Sequence, residues 1–465
     1  MNVTPGAGSL GDLSHPVHVH IVGIGGAGMS AIAIVLRAMG HTVSGSDLKA
    51  SAVTDRLRRA GMEVTIGHAA VNVGSADVVT VSSAVDDANP EVVEARRRGI
   101  AVLPRAQTLA AIASRKQCIA VAGTHGKTTT ASMLALLLVE GGLKPSFLIG
   151  GDVNEIGTNA VWDEGEWIVV EADESDGTFL SLVPDIAIVT NVEADHLDHY
   201  GTFDAVRAAF EQFVGSALHR RVVGGDDPEA AAIGRASGAD LVGTATDATF
   251  RMVDLELARS SVSFRLVDPA GGELVRLSIP VPGLHNAKNA AVAAVAALAA
   301  GVPLDTSARA LARFAGVARR FEFRGEVNDV TFVDDYAHLP SEVRATLAAA
   351  RNGGWRRVVA VFQPHRYSRT AELWHEFGQA FADADVAVIT DVYGAGEAPV
   401  PGVSGRLVAD AIREAYPGMP VYDVAGRVEL REFLGALLRP GDLCCTLGAG
   451  DLTSLPDELM FDPGW

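Results

Sequence analysis

Short β-branched runs alternate with Ala- and Leu-rich stretches of helical periodicity along almost the whole 465-residue chain. The runs at 17–23, 41–47, 77–83 and 101–105 predict a first set of strands. A second set is predicted at 117–123, 167–173, 186–191 and 220–225, and a third at 330–336, 356–362, 385–391 and 442–448. Strands separated by helical segments of roughly 10–15 residues imply parallel sheets covered by helices on both faces. Between about 245 and 282 the pattern changes to strict alternation (VSFRLVD, then LVRLSIPVPG), which predicts antiparallel strands inserted in the middle unit. Boundaries near 114 and 322 divide the chain into three α/β domains: 1–114, 115–321 and 322–465. The first and last read as Rossmann-like and the middle one as P-loop-like.

Two glycine-rich loops interrupt this pattern, each between a predicted strand and a helix. The first, GIGGAG, places Gly23, Gly25, Gly26 and Gly28 ahead of a helix that Gly40 closes, and Asp47 ends the next strand. That is the dinucleotide fingerprint, which sets a diphosphate on a helix N-terminus and an acid on a ribose hydroxyl. NAD, FAD and a UDP-sugar all satisfy it, and so does tight helix–strand packing with no ligand. The second loop, GTHGKTTT, runs from Gly123 through Thr124, His125, Gly126, Lys127, Thr128 and Thr129 to Thr130. It lacks the first glycine of the G-x-x-x-x-G-K-[ST] pattern, because Val121 stands there. Three consecutive threonines are poor helix formers. A local rule broken at a helix start beside Gly-Lys points to a functional site. In that reading Lys127 meets β- and γ-phosphates and the Thr128 hydroxyl faces Mg²⁺.

Carboxylates gather after the next two predicted strands. EADESDGTF supplies Glu171, Asp173, Glu174 and Asp176, and TNVEADHLDHY supplies Glu193, Asp195, His196, Asp198 and His199. In parallel sheets ligands bind beyond the carboxyl ends of strands, so these groups converge on the Lys127 loop. So many acids beside a polyphosphate require a divalent cation between them. Hard Mg²⁺, which takes few protein carboxylates plus phosphate oxygens, fits better than zinc, for no cysteine stands nearby.

Composition narrows the setting. The formal net charge of −19 excludes a basic nucleic-acid footprint, and it means that any phosphate must be held by backbone amides, a few placed cations and bound metal. The Ala-rich run 290–302 is too short to span a bilayer, and the first residues show no secretory pattern. The three cysteines, Cys118, Cys444 and Cys445, suit buried free thiols. A cytoplasmic protein with no membrane or nucleic-acid partner is expected.

Together GTHGKTTT, EADESDGTF, NVEADHLDHY, GLHNAKNA (283–290), RRFE (319–322), DDYAHLP (334–340) and FQPHRYSRT (362–370) resemble the Mur ligases of peptidoglycan synthesis, in order along nearly the whole chain. GIGGAGMS and FQPHRYSRT are similar to the branch that adds L-alanine. The resemblance implies a UDP-N-acetylmuramate domain, an ATP domain and an amino-acid domain, acting as monomer or dimer with ATP and Mg²⁺. It implies that Gly123 through Thr129 bind ATP, that Thr128, Glu171 and His196 hold Mg²⁺, and that His285, Asn286 and Asn289 contact adenine or ribose. Arg319 or Arg320, with Asp335, would complete the ATP site, while His338, Arg366 and Arg369 would surround the alanine carboxylate. Gly25, Ser82, Ser83 and His68 would cradle the nucleotide sugar. One position departs: Leu339 follows His338 where the family usually has a second histidine.

Read without the family, His285-Asn286 is an ordinary turn and Arg366 and Arg369 are solvated loop residues, although a guanidinium fork suits a carboxylate. His18 and His20 read as a solvent-facing strand edge. The implied reaction passes the γ-phosphoryl of ATP to the muramoyl carboxylate, and the alanine amine then attacks the acyl phosphate. The rivals are a ligase that attaches a tripeptide to the same nucleotide sugar, an NAD-dependent dehydrogenase, and a non-catalytic sugar-nucleotide sensor.

Overall fold

The computed structural model describes residues 13, 15–82, 84–153 and 156–461, except the side chains of 152 and 198. Ser83, expected in the nucleotide-sugar cradle, lies outside the described residues. All twelve predicted strands form, distributed over three sheets.

The first sheet contains β1 (His18–Val22), β2 (Thr42–Asp47), β3 (Glu63–Ile66), β4 (Val78–Val81) and β5 (Ala101–Pro104), in the order β3-β2-β1-β4-β5. Every pairing is parallel. The order reverses at β1, whose neighbours are β2 and β4, so the crevice beyond β1 and β4 is the ligand-binding switch point of a doubly wound sheet.

The second sheet has ten strands: β6 (Gln117–Ala122), β7 (Ser146–Val153), β8 (Thr158–Val161), β9 (Trp167–Glu171), β10 (Ile186–Val189), β11 (Arg220–Gly224), β12 (Asp240–Gly243), β13 (Phe250–Leu257), β14 (Val262–Val267) and β15 (Glu273–Ile279). Their order is β15-β14-β13-β12-β11-β10-β6-β9-β7-β8, and β6 is flanked in parallel by β10 and β9. The residues 258–261 between β13 and β14 are too few for a parallel crossover, so the alternating segment forms an antiparallel hairpin as its pattern predicts. The helix Lys127–Glu140 follows β6 and is buried at every residue from Thr129 to Leu138. Over that stretch the helix is covered on all faces.

The third sheet contains β16 (Glu322–Val327), β17 (Val330–Asp335), β18 (Arg357–Phe362), β19 (Val386–Ile389), β20 (Val421–Asp423) and β21 (Asp442–Leu447), in the order β16-β17-β21-β18-β19-β20. Only β16 is antiparallel to its neighbour. Cys444 and Cys445 are buried in β21 and Cys118 in β6, all as free thiols. Burial pushes the thiols of Cys118 and Cys444 up to about 12, which keeps both inert.

Compactness divides the chain into two units, one of 1–253 with 265–277 and 288–311, the other of 254–264, 278–287 and 312–465. The first and second sheets share the first unit because one apolar cluster runs through both. Ile24, Ile32 and Leu36 from the first sheet's layer pack in the same core as Ala120, Leu148 and Ile168 from the second.

β1 is the central strand of its sheet, and this corrects the reading of His18 and His20 as a solvent-facing edge. His20 is buried, with its Nδ1 2.9 Å from the Ser44 hydroxyl and its Nε2 3.2 Å from Glu91.

Candidate active site

The first glycine loop turns at Gly23 (φ +79°), and Gly26 precedes the helix Ala27–Ala38. The Gly25 amide donates to Asp47 Oδ2 at 2.8 Å, and a Cβ on Gly25 would stand 2.7 Å from the same oxygen. Glycine is required there by close approach. Gly23, Gly25, Gly26, Asp47, His68 and Ser82 line one cleft of ≈ 740 Å³ at the switch point. Gly28 lies elsewhere, against the guanidinium of Arg105.

Beneath His68 sits a carboxylate whose role the sequence does not signal. Glu91 is fully buried and accepts from the Ser46 hydroxyl (2.5 Å), Asn72 Nδ2 (2.6 Å) and the Ala69 amide (3.1 Å). Burial raises its pKa, but the bonds from His20, Ser46, Asn72 and Ala69 outweigh this and bring it down to about 2. Ser46 also meets His68 Nδ1 at 2.9 Å, so the buried charge fixes the imidazole that faces the cleft.

The second loop is built by three adjacent strand ends. After β6, Gly123 (φ +131°) and Gly126 (φ +80°) take conformations that a side chain rarely adopts. A Cβ on Gly123 would lie 2.0 Å from Thr190 Oγ1, just past β10, and one on Gly126 would lie 2.5 Å from Asn289 Oδ1. The Thr190 hydroxyl donates to the His125 carbonyl at 2.5 Å, and the His125 amide donates to Asn191 Oδ1 at 2.8 Å. Thr124 Oγ1 accepts from the Glu193 amide at 2.9 Å, and His125 Nε2 stands 3.2 Å from Glu193. The first amides of the helix beginning at Lys127 have no acceptor within the helix, which makes the loop an anion site.

Lys127 Nζ is held by Glu174 Oε1 (2.7 Å), the Gly123 carbonyl (2.7 Å) and the Thr124 carbonyl (3.2 Å). Burial lowers the ammonium's pKa, but Glu174, Asp173 and Glu171 more than restore it. Glu174 is pushed up to about 7 by burial, against the pull of Lys127. Thr128 donates to Glu171 Oε1 at 3.0 Å, and the Gly150 amide donates to Oε2 at 2.7 Å.

Two of the three expected metal positions therefore meet, Thr128 and Glu171. His196 takes a left-handed conformation (φ +56°) and pairs with Asp195 at 3.2 Å. Among the described residues no group of three His, Cys, Asp or Glu is placed to hold a metal. A hydroxyl and one carboxylate beside a phosphate loop are hard oxygen donors that suit Mg²⁺, which draws its other ligands from phosphate and water.

The expected residues of the second unit assemble among themselves. Arg319 Nη2 donates to the Gly448 carbonyl at 2.7 Å, and both Arg319 and Arg320 lie over the Tyr336 ring. Asp335, at the end of β17, accepts from the amides of Phe321 and Ala337, each at 2.8 Å. Burial raises this carboxyl to about 6 despite Arg320. His338 Nδ1 lies 3.1 Å from both the Tyr336 carbonyl and Glu342 Oε2, and burial lowers its pKa. Its ring stands 5.8 Å from that of His365, which leaves β18, and Arg369 Nη1 is 3.4 Å from His365 Nδ1. His365 was not anticipated, yet it is the second imidazole beside His338. Leu339 is buried. Arg366 (φ +68°) starts the helix Tyr367–Gly378, with its amide donating to the Tyr393 carbonyl. His285 and Asn286 start the helix Leu284–Ala299, where Asn286 Nδ2 donates to the Pro282 carbonyl at 2.7 Å.

Comparison with known proteins agrees with this arrangement. The Mur ligase family, catalytic domain, matches 18–117; the Mur ligase middle domain matches 121–297; and the Mur ligase, glutamate ligase domain matches 319–450. A UDP-N-acetylmuramate–L-alanine ligase of Anaeromyxobacter sp. (strain Fw109-5) is 47% identical over 454 residues, covering 96% of this chain and 98% of that protein. Among solved structures, the UDP-N-acetylmuramate–alanine ligase MurC of Thermotoga maritima superposes with a TM-score of 0.81 at 29% identity, covering 95% of this chain and 98% of the other. A murein peptide ligase of Psychrobacter arcticus 273-4 shares the fold, with a TM-score of 0.67 at 24% identity over 96% and 98% of the two chains. With all three family domains matched in order and a relative of this identity spanning nearly its full length, the chain belongs to the Mur ligase family.

Proposed function

We propose that this chain is an ATP-dependent amide ligase that joins L-alanine to the muramoyl carboxylate of UDP-N-acetylmuramate in peptidoglycan precursor synthesis. The observation that carries the reading is the presence of two phosphate loops, at Gly23–Gly28 and Gly123–Thr128, at the switch points of two sheets in one compact unit. One loop suits a nucleotide sugar and the other a triphosphate. The 47% identity to an alanine-adding ligase over nearly the full length supports the amino-acid choice. A dehydrogenase leaves Lys127 and the Thr128–Glu171 pair without a role.

A free carboxylate resists attack by an amine because oxide would have to leave. Transfer of the γ-phosphoryl group supplies a leaving group, and the alanine amine then displaces phosphate. Gly123 through Thr129 cradle the phosphates, and Lys127 exchanges its Glu174 contact for phosphoryl oxygens as charge spreads over them. Thr128 and Glu171 would hold Mg²⁺, with His196, now paired with Asp195, as a further ligand; a cation there would supply charge to offset that of the phosphates. His285, Asn286 and Asn289 serve the nucleoside end, with Asn289 already against Gly126. Arg319 or Arg320 and Asp335 complete the ATP site from the C-terminal domain, and His338, Arg366 and Arg369 receive alanine. The protein acts in the cytoplasm; no described helix is long and apolar enough to cross a membrane.

The test is ADP release with UDP-N-acetylmuramate against a panel of amino acids and the tripeptide. L-Alanine should give the highest kcat/KM. A preference for the tripeptide would move the protein to the recycling class, and no ADP release with any acceptor would remove the ligase reading.

A further inference from the structure

Arg105 starts the helix Arg105–Ala113 directly after β5, and neither glycine motif includes it. Its Nη2 lies 3.0 Å from Asp173 Oδ2 and 3.6 Å from Asp176 Oδ2, both in the loop beyond β9. Its Nη1 faces Gly28, where a Cβ would stand only 2.8 Å away. The guanidinium therefore sits between the last glycine of the first loop and the acidic loop that follows Glu171.

A second cavity, of ≈ 190 Å³, opens at this point, with Gly28, Arg105, Gly150, Glu171 and Asp173 in its wall. Gly26 borders the large nucleotide cleft and Gly28 borders this smaller one, so the two flank the N-terminus of a single helix, Ala27–Ala38. A molecule with its diphosphate on that helix N-terminus can reach the small cavity with its far end. Among the described residues in the cavity wall Arg105 is the sole cation, and Glu171 and Asp173 are acids. An anion entering there meets repulsion from every charged group except Arg105. The planar guanidinium, oriented by two carboxylates and left unobstructed by Gly28, suits a carboxylate partner bound through two parallel hydrogen bonds.

Resting on the proposed activity, we infer that Arg105 binds the muramoyl carboxylate of the nucleotide sugar and aims it at the Lys127 loop, and that Asp173 and Asp176 hold the guanidinium ready for it. Arg105 would thus distinguish a nucleotide sugar that carries the reacting carboxylate from one that lacks it.

The test is calorimetric titration of the full-length protein with UDP-N-acetylmuramate and with UDP-N-acetylglucosamine, which has the same uridine diphosphate but a hydroxyl in place of the lactyl ether. Arg105→Gln should weaken binding of the muramate about ten- to a hundredfold, the loss expected for a charge-assisted hydrogen-bond pair, and leave the glucosamine nucleotide unchanged. Arg105→Lys, which keeps the charge and loses the fork, should fall between the two and controls for folding. Asp176→Asn removes the weaker of the two contacts that hold the guanidinium and should lower muramate affinity severalfold, less than Arg105→Gln does, with the glucosamine nucleotide again unchanged. Equal loss for both nucleotides would overturn the assignment in favour of a diphosphate contact. Unchanged muramate affinity in Arg105→Gln, or a fall in Asp176→Asn as large as that in Arg105→Gln, would reduce the pair to a structural bridge. A wild-type protein that binds neither nucleotide would overturn the proposed activity itself, and this assignment with it.

Discussion

The ammonium of Lys127 stands 2.7 Å from the carboxylate of Glu174, which is buried, and the lysine side chain is only 15% exposed. Each controls the other's charge, and in the proposed reaction the lysine turns from the carboxylate to phosphate. Removing the ammonium leaves an acid with no counter-charge in a dry site. Glu174 already titrates near 7, above its ordinary 4.5, because of burial, and Lys127 is the group holding it down. A native-state value raised above the unfolded one means that the folded protein binds the extra proton, so stability falls as pH rises through that window. Lys127→Met should lower alanine-dependent ADP release by at least about a hundredfold. Its melting temperature should also decline more steeply than the wild type's from about pH 5 upward. Thermal melts across pH beside the ADP assay check both halves.

Gly126→Ala should damage the triphosphate site more than the fold. The new Cβ would meet Asn289 Oδ1 at 2.5 Å in a left-handed backbone, whereas Asn289 is a side chain that can withdraw. About 1–3 kcal/mol of stability should be lost, with a much larger loss of ATP binding as the loop reshapes. Denaturant melts and ATP titration measure the two. Gly123→Ala, which meets the backbone nitrogen of Thr190 at 2.9 Å as well as its hydroxyl, should be worse on both counts.

Glu91→Gln should cost stability in a pH-dependent way. The depressed value near 2 means that the carboxylate's contribution is complete above its ordinary 4.5 and disappears as pH falls toward 2. That shift corresponds to roughly 3 kcal/mol at neutral pH. The gap between wild type and variant in denaturant melts should be widest at pH 7 and close progressively below about pH 4.5. Because Ser46 links Glu91 to His68, the variant should also raise KM for UDP-N-acetylmuramate and leave KM for ATP unchanged.

The cluster of His338, His365, Arg366 and Arg369 should govern alanine alone. Burial lowers both imidazole pKa values, that of His365 to about 4, so both rings are neutral at pH 7 and the positive charge belongs to the arginines. Arg369→Ala should raise KM for alanine about ten- to a hundredfold, with KM for the nucleotide sugar little changed. Steady-state kinetics with each substrate varied in turn distinguishes this from a general loss of activity.

The long central strands were legible in the sequence because each is a continuous apolar run, as in VVAVF and IAIVT. β3, β8 and β20 were not, because each is an edge strand of three or four residues, and β16, also at an edge, is a mixed charged run with Gly325 in it. β7 was hidden by the glycines at 150 and 151 in its middle. The two phosphate loops were legible because glycine, lysine and threonine at fixed spacing leave few physical alternatives. Glu91, His365 and Arg105 were not singled out. Each draws its meaning from a partner distant in the chain, whether His20, His338 or Asp173, and no local spacing records that. His20 shows the same limit: alternation along a strand does not tell the middle of a sheet from its margin.

The common apolar core beneath the first two sheets has a consequence for substrate choice. With Ile32 and Leu148 in one continuous packing, the glycine loop at Gly25 and the lysine loop at Lys127 are anchored to the same foundation. Their separation then acts as a gauge of molecular length. In the proposed reaction the nucleotide sugar on the glycine loop must carry its acid across that fixed span, so a sugar whose acid sits on a shorter arm should be the poorer substrate.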